Sequence, residues 1–273
     1  MKDEGKKVHI VVCLKQIIDP EIPPHVFQID PVEKKQIRGR QVLLISDFDA
    51  IALEVALQLK EKVDGKVTAI TIGAADAVEA LHTALAMGAD ETVLISDPAF
   101  EEIDSFGKAH ILAAALHKLG QFDGVLCGRQ AGDVELGLVG PFLAEMTGLP
   151  CVTLAANMEP ENGKMRFRRP IEGGYEILET TTPFLATITN DESNVARYAS
   201  VRGIRKAMRT EIPTWSAADL ALDPAEIGLE TAQIEMEELF VPEREIRCEF
   251  IAGESGPEKA QQLALRLREL KLL

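Results

Sequence analysis

Residues 124–150, GVLCGRQAGDVELGLVGPFLAEMTGLP, constrain the fold more than any other part of the chain. The apolar run Val125-Leu126-Cys127 predicts the end of a parallel strand, 128–139 a glycine-punctuated loop, and 141–147 a helix whose first residue is proline. A strand that feeds a small-residue loop and then a helix start aims backbone N–H groups and the positive end of a helix dipole at one spot. Such a spot suits phosphate. The loop contains neither GxGxxG nor GxxxxGK followed by Ser or Thr. The pattern therefore favours a nucleotide that is held over one that is hydrolysed.

The same alternation runs upstream, and alternating strands and helices are the mark of a parallel sheet covered on both faces. Residues 8–14 predict a first strand and 48–63 a helix with apolar Ile51, Ala52, Val55, Leu57 and Leu59. A strand over 66–72 closes at Gly73, a helix over 74–87 ends at Gly88, and 91–95 form a short strand. A helix over 105–119 stops at Gly120, before the strand 122–127. Residues 151–158, 164–172 and 175–181 read as hairpin strands. Glu161-Asn162-Gly163 and Glu172-Gly173-Gly174 join them, with glycines that permit positive φ. Residues 183–189 predict one more core strand. After Ala207 the prolines Pro213, Pro224 and Pro242 break an acidic stretch, and only 257–272 recovers a helical period, with Leu263, Leu267 and Leu270 on one face.

The expected fold is thus α/β: a doubly wound, mostly parallel, Rossmann-like sheet over 1–205, with a β-hairpin insertion and a C-terminal arm over 206–273. A segment as long as the arm with so little core of its own either folds back on its domain or packs on a partner.

Composition narrows the function classes. The 273 residues are 46% hydrophobic, enough for a sizeable core, and the net charge of -15 opposes binding to nucleic-acid backbones or anionic membrane surfaces. Apolar stretches such as 10–14 and 42–45 fall far short of the ~18 residues of a membrane span. MKDEGKKVHIVVCLK carries no leader pattern, so the cytoplasm is the expected compartment. Cys13, Cys127, Cys151 and Cys248 form no CxxC pair and read as plain thiols. His110 and His117 stand seven apart on one helix without a third ligand at metal spacing, so no metal site is expected. No nucleophile, base and orienter can be assembled either, so no catalytic residue is assigned.

At CGRQAGDVELGLVGP the chain resembles the β subunit of electron-transfer flavoproteins. The resemblance extends through VVCLKQIIDP at 11–20, SDFDAIALEVALQLKE at 46–61, ALAMGADETVLIS at 84–96, RRPIEGGYEILETTTPFLATIT at 168–189 and RYASVRGIRKA at 197–207. It implies an adenine nucleotide site that takes AMP or a second FAD. Its residues would be Cys13, Ser46, Asp47, Phe48, Asp49 and Ile72 with Gly128, Arg129, Gln130, Ala131, Gly132, Asp133, Val134, Glu135, Leu136, Gly137, Leu138 and Val139. Three of these positions lie at strand C-terminal ends, where open α/β sheets bind ligands. On the residues alone, Ser46 and Asp47 read as the cap of the following helix and Phe48 as a core or staple residue. The resemblance places Phe48 near a partner flavin.

The resemblance further implies an FAD-bearing α subunit in a heterodimer, a partner subunit on which the arm 206–273 packs, and a dehydrogenase, such as an acyl-CoA dehydrogenase, as electron partner. The docking segment would be Arg197, Tyr198, Ala199, Ser200, Val201, Arg202, Gly203, Ile204, Arg205 and Lys206, with Val201 as aliphatic anchor. One departure bears on the cofactor: relatives commonly carry AIDGDTAQVG, whereas Leu136 and Leu138 here replace Thr and Gln. FQIDPVEKKQIR at 27–38 and RYASVRG at 197–203 are closer to the electron-bifurcating type, which uses NADH. Two other readings stay open: a stand-alone adenine-nucleotide-binding regulatory module, and a nucleotidyl-transfer enzyme, for which no HIGH-like or SGGxDS-type motif occurs.

Overall fold

The computed structural model describes residues 7–101, 103–242 and 248–273, so the expected domain's residues 1–6 and 102, and the arm's 243–247, lie outside the described residues. β1 (His9–Leu14) leads into two short antiparallel ladders, β2 (Gln16–Ile18) with β5 (Leu43–Ile45) and β3 (Ile29–Asp30) with β4 (Lys35–Gln36). Helix α1 (Asp47–Val63) follows, then β6 (Lys66–Ile72), α2 (Val78–Met87), β7 (Glu91–Ile95), α3 (Ser105–Leu119), β8 (Gly124–Gly128) and α4 (Val139–Thr147). The chain continues through β9 (Cys151–Ala155), β10 (Asn157–Glu161), β11 (Lys164–Ile171), β12 (Gly174–Thr180) and β13 (Phe184–Ile188). It ends with α5 (Val201–Ala207), β14 (Thr214–Trp215) and α6 (Gly256–Glu269).

Seven strands form one parallel sheet in the order β14-β7-β6-β1-β8-β13-β9. Because strand side chains alternate, β1 sends Ile10, Val12 and Leu14 to one face and Val11 and Cys13 to the other. The first face packs on α1 and α2 through Leu53, Leu57 and Leu81; the second packs on α3 and α4 through Ile111, Leu116 and Leu143. Helices on both faces make the sheet doubly wound, as the βα alternation predicts. The chain winds from β1 outward to β7, then returns past β1 to β8. The crevice at the β1–β8 boundary is therefore the topological switch point, where open α/β sheets hold ligands.

Three local readings change, and of the two open for the arm its first part takes one. Residues 151–158 are not one hairpin strand. Leu154 at φ 58° breaks the run, so β9 joins the central sheet and β10 starts the separate antiparallel sheet β10-β11-β12. Helix α4 begins at Val139, two residues before the expected proline. The segment 201–207 is a helix packed on α2, and Gly203 permits the approach: a Cβ there would lie 2.2 Å from the Ala86 carbonyl oxygen. Finally, residues just after 206 fold back on the domain. β14 pairs with β7, and Ala217, Leu220 and Ile227 are buried in the core with Trp215 packed against it. Beyond Ile234 the chain still touches the domain where the Met236 carbonyl accepts a 2.8 Å hydrogen bond from Lys34 Nζ, and α6 buries none of its residues. No helix among the described residues is long and apolar enough to cross a membrane.

Candidate functional site

The crevice is closed at its base by a carboxylate. Asp49, in the first turn of α1, accepts a 2.8 Å hydrogen bond from the Lys15 N–H just past β1 and a 2.9 Å bond from the Gly128 N–H at the end of β8. It thus ties the two lips together. Burial raises its carboxyl to about 7, outweighing those two backbone bonds and the nearby Lys15 charge, which favour the ionised form. Gly128 is required by the same contact, since a Cβ there would stand 2.5 Å from Asp49 Oδ1.

The loop 129–138 is fastened across the mouth. Ser46 Oγ accepts from the Gly132 N–H at 3.1 Å, and Lys15 Nζ pairs with Asp133 Oδ2 at 2.5 Å. The expected side-chain cap by Ser46 is therefore not made: its hydroxyl serves the loop, while exposed Asp47 only supplies negative charge to the first turn of α1. Glu135 at φ 57° and Gly137 at φ 67° turn the loop back toward α4. Val134 and Leu136 stand exposed at its tip. Gly140 has a packing reason of its own: a Cβ there would lie 2.6 Å from Thr187 Cγ2, so α4 rests directly on β13.

Beside the loop, the Arg129 guanidinium lies 4.3 Å from the centre of the Phe48 ring, a cation–π contact at the start of α1. Arg129 Nη1 also donates to Thr189 Oγ1 at 3.4 Å, and its buried Nε has no partner among the described residues. Phe48 is thus held as a half-buried platform at the rim, next to an arginine with a donor to spare. Ile72 ends β6 on the far side of β1, half-buried under the turn at Gly73. Cys13 and Cys127 sit opposite each other in register, buried in the core as free thiols; the hydrogen bond between them, followed by burial, raises the Cys127 thiol well above its ordinary range. Both side chains belong to the core on the α3–α4 face of the sheet.

Sequence reasoning missed Lys108. It lies half-buried in the first turn of α3, within electrostatic reach of Lys15 and Asp133. Burial, and then the Lys15 charge, lower its ammonium below the usual lysine range, while Asp133 and Asp104 oppose the shift. No local pattern in SFGKAHIL distinguishes it from a surface lysine.

The segment 197–206, expected to dock a partner, lies elsewhere, over α1 and α2. Arg197 is turned inward: its Nε meets Glu54 Oε2 at 2.6 Å and its Nη1 meets Glu61 Oε1 at 2.5 Å. Ala199 is half-buried against the core, Ser200 Oγ caps α5 by accepting from the Gly203 N–H at 3.0 Å, and Gly203 packs on α2. Tyr198, Val201, Arg202, Ile204, Arg205 and Lys206 face outward, so the exposed surface here mixes apolar and basic groups.

The family model for the electron transfer flavoprotein domain matches residues 37–220. This chain belongs to that family. It is 40% identical to electron transfer flavoprotein subunit beta of Thermoanaerobacterium thermosaccharolyticum, over 95% of this chain and 98% of the relative. It is 35% identical to caffeyl-CoA reductase-Etf complex subunit CarD of Acetobacterium woodii, over 97% of this chain and all of the relative (100%). To the acryloyl-CoA reductase electron transfer subunit gamma of Anaerotignum propionicum it is 36% identical, over 72% and 73% of the two chains. Membership accounts for the Rossmann-like layout of the domain. The family is one of flavoproteins that transfer electrons.

Proposed function

We propose that this chain is a β-type electron-carrier subunit that binds an adenine nucleotide in the β1–β8 crevice. It pairs with an FAD-bearing α subunit and carries electrons to or from a dehydrogenase such as an acyl-CoA dehydrogenase. The observation that carries the reading is the loop 129–138, fastened over the switch point by the Lys15–Asp133 pair and the Ser46–Gly132 bond and running into the N-terminus of α4. The first N–H groups of a helix lack intrahelical partners, so the start of α4 offers donors to phosphate without any side chain. This offsets the loss of polar groups at Leu136 and Leu138.

FAD, when bound, supplies the one- and two-electron chemistry. The residues of this chain bind and orient. Asp49 fixes the spacing of the crevice lips, and the loop backbone holds phosphate. Phe48, braced by Arg129, presents an aromatic edge at the rim where the family places a partner flavin. Val201, exposed on α5 among Arg202, Arg205 and Lys206, is the apolar anchor of the dehydrogenase-docking surface. The bifurcating, NADH-dependent form of the function is favoured by the segments 27–38 and 197–203.

The test is the nucleotide content of the complex purified with its α subunit. Denaturation and counting of released FAD and AMP give two FAD per heterodimer for a bifurcating carrier, or one FAD and one AMP for a simple one. One FAD and no other adenine nucleotide would reject the crevice as a cofactor site.

A further inference from the structure

The excursion between β1 and α1 rises from the two residues that fasten the loop 129–138. The Lys15 carbonyl accepts from the Ser46 N–H at 2.9 Å; Lys15 Nζ pairs with Asp133, and Ser46 Oγ accepts from the Gly132 N–H. Residues 16–45 therefore leave and rejoin the domain at the loop's own fastening. At their base, in the β2–β5 ladder, buried Ile17 lies against the loop: a Cβ on Gly132 would stand 3.2 Å from Ile17 Cδ1. Gln16 Nε2 donates to the Asp76 carbonyl at 3.1 Å and Arg38 pairs with the Asp76 carboxylate, which pins the excursion to the turn before α2. A displacement of the excursion thus moves the supports of the loop.

The far end of the excursion is held by the C-terminal arm. Lys34, at φ 50° between β3 and β4, donates from Nζ to the Met236 carbonyl at 2.8 Å. Just upstream the arm is fixed a second time: Asp104 Oδ2 accepts from the Gln233 and Ile234 N–H groups at 2.8 and 3.0 Å, while its Oδ1 closes the first turn of α3 through the Gly107 N–H at 2.8 Å. Both anchors follow the C-terminal ends of strands, β7 and β1, the edge of the sheet at which the crevice opens. Residues 233–236 are held there by hydrogen bonds and bury none of their number, so they lift at low cost. We propose that 233–236 form a strap that couples the arm to the crevice. Laid between Asp104 and Lys34, the strap holds the excursion down and the loop 129–138 closed; lifted with the arm, it releases both, and a bound nucleotide leaves faster. The last clause rests on the reading of the crevice as a nucleotide site; the mechanical coupling does not.

Hydrogen exchange of the full chain, with and without AMP, tests the strap. Lys34→Met loses the donor and keeps the length of the side chain. In it the amides of 233–236, of 16–18 and of 129–138 should all exchange at least about three-fold faster than in wild type, with β6 unchanged. Lys34→Arg keeps a donor and should restore wild-type rates; Arg40→Met, which removes an exposed charge from the same excursion, should leave them as they are. Coupling is reciprocal, so saturating AMP should slow 233–236 in wild type and not in Lys34→Met, and AMP should dissociate about three-fold faster from the variant. Faster exchange confined to 233–236, no change anywhere, or AMP binding that leaves the strap's exchange unaltered overturns the coupling. If the wild-type chain binds neither AMP nor FAD, the reading of the crevice falls, while the exchange of 129–138 in Lys34→Met still decides the strap.

Discussion

Asp49 shows what one residue does at this switch point. The native state raises its carboxyl from 3.8 to about 7, so between those values the folded chain holds a proton that the unfolded chain releases. The corresponding stability is fully present below pH 3.8 and is lost as pH rises through 7. We expect the advantage of wild type over Asp49→Asn in urea unfolding to shrink by about 4 kcal/mol between pH 4 and pH 8, at about 1.4 kcal/mol for each pH unit between the two values. A flat difference would mean that the carboxyl stays ionised in its clasp. Gly128 is legible in the sequence because CGRQ places it at a strand end, but Asp49 is legible only as a residue near a helix start. Its partners Lys15 and Gly128 are 34 and 79 positions away, and no local pattern encodes such a meeting. Lys108 stays hidden for the same reason: its half-burial is a property of the surroundings that the fold brings to it.

Among the elements, the segment before α5 is held to α1 by one arginine. Glu54 is nearly buried, with a side chain 6% exposed, and burial alone would raise its carboxyl; the hydrogen bonds from Arg197 outweigh that and hold it below the usual range. Glu61 is lowered by the same guanidinium. These depressed carboxyls contribute stability above about pH 4.5 and lose it as pH falls, opposite in sign to Asp49. Arg197→Ala should destabilise the chain by about 2–4 kcal/mol at pH 7, since it leaves Glu54 buried and unpaired, and by less at pH 4. Chemical denaturation at the two pH values measures this, and an equal loss at both would put the effect in packing instead. Elements with strong periodicity are legible at their true limits, as with Lys66–Ile72, Glu91–Ile95 and Ser105–Leu119. The two-residue β14 is not, because its only reason to be a strand is β7, some 120 positions earlier (Thr214 against Leu94). In the sequence α5 resembles a loop because seven residues containing a glycine carry too little helical signal; it is a helix because Gly203 lets it lie on α2.

At the scale of the molecule, the arm divides into a fastened part and a free one. Residues 214–234 are tied to the domain by β14, by the buried Leu220 and Ile227, and by Asp104, whereas α6 and its C-terminal cap show solvent Leu263 and Leu270, with Leu267 half-buried between them on the same face. An amphipathic helix with its apolar stripe uncovered fits a partner's groove. Hydrogen exchange on the isolated chain and on the complex with the α subunit should show α6 slowed at least about ten-fold by the complex, with β1 and β8 unchanged. Equal exchange of α6 in both would remove it from the interface. The strand arrangement has a separate bearing on how the free chain behaves when concentrated. A sheet margin recruits foreign strands when it offers a long, flat row of unpaired backbone groups. Here one margin, β14, is two residues long, and at the other the positive φ of Leu154 in β9 interrupts the row. Neither margin of the central sheet can template a growing fibril; the long margin among the described residues is β12 of the hairpin sheet, seven residues with Tyr175 and Ile177 exposed, so cross-strand aggregation of the crowded chain should begin there.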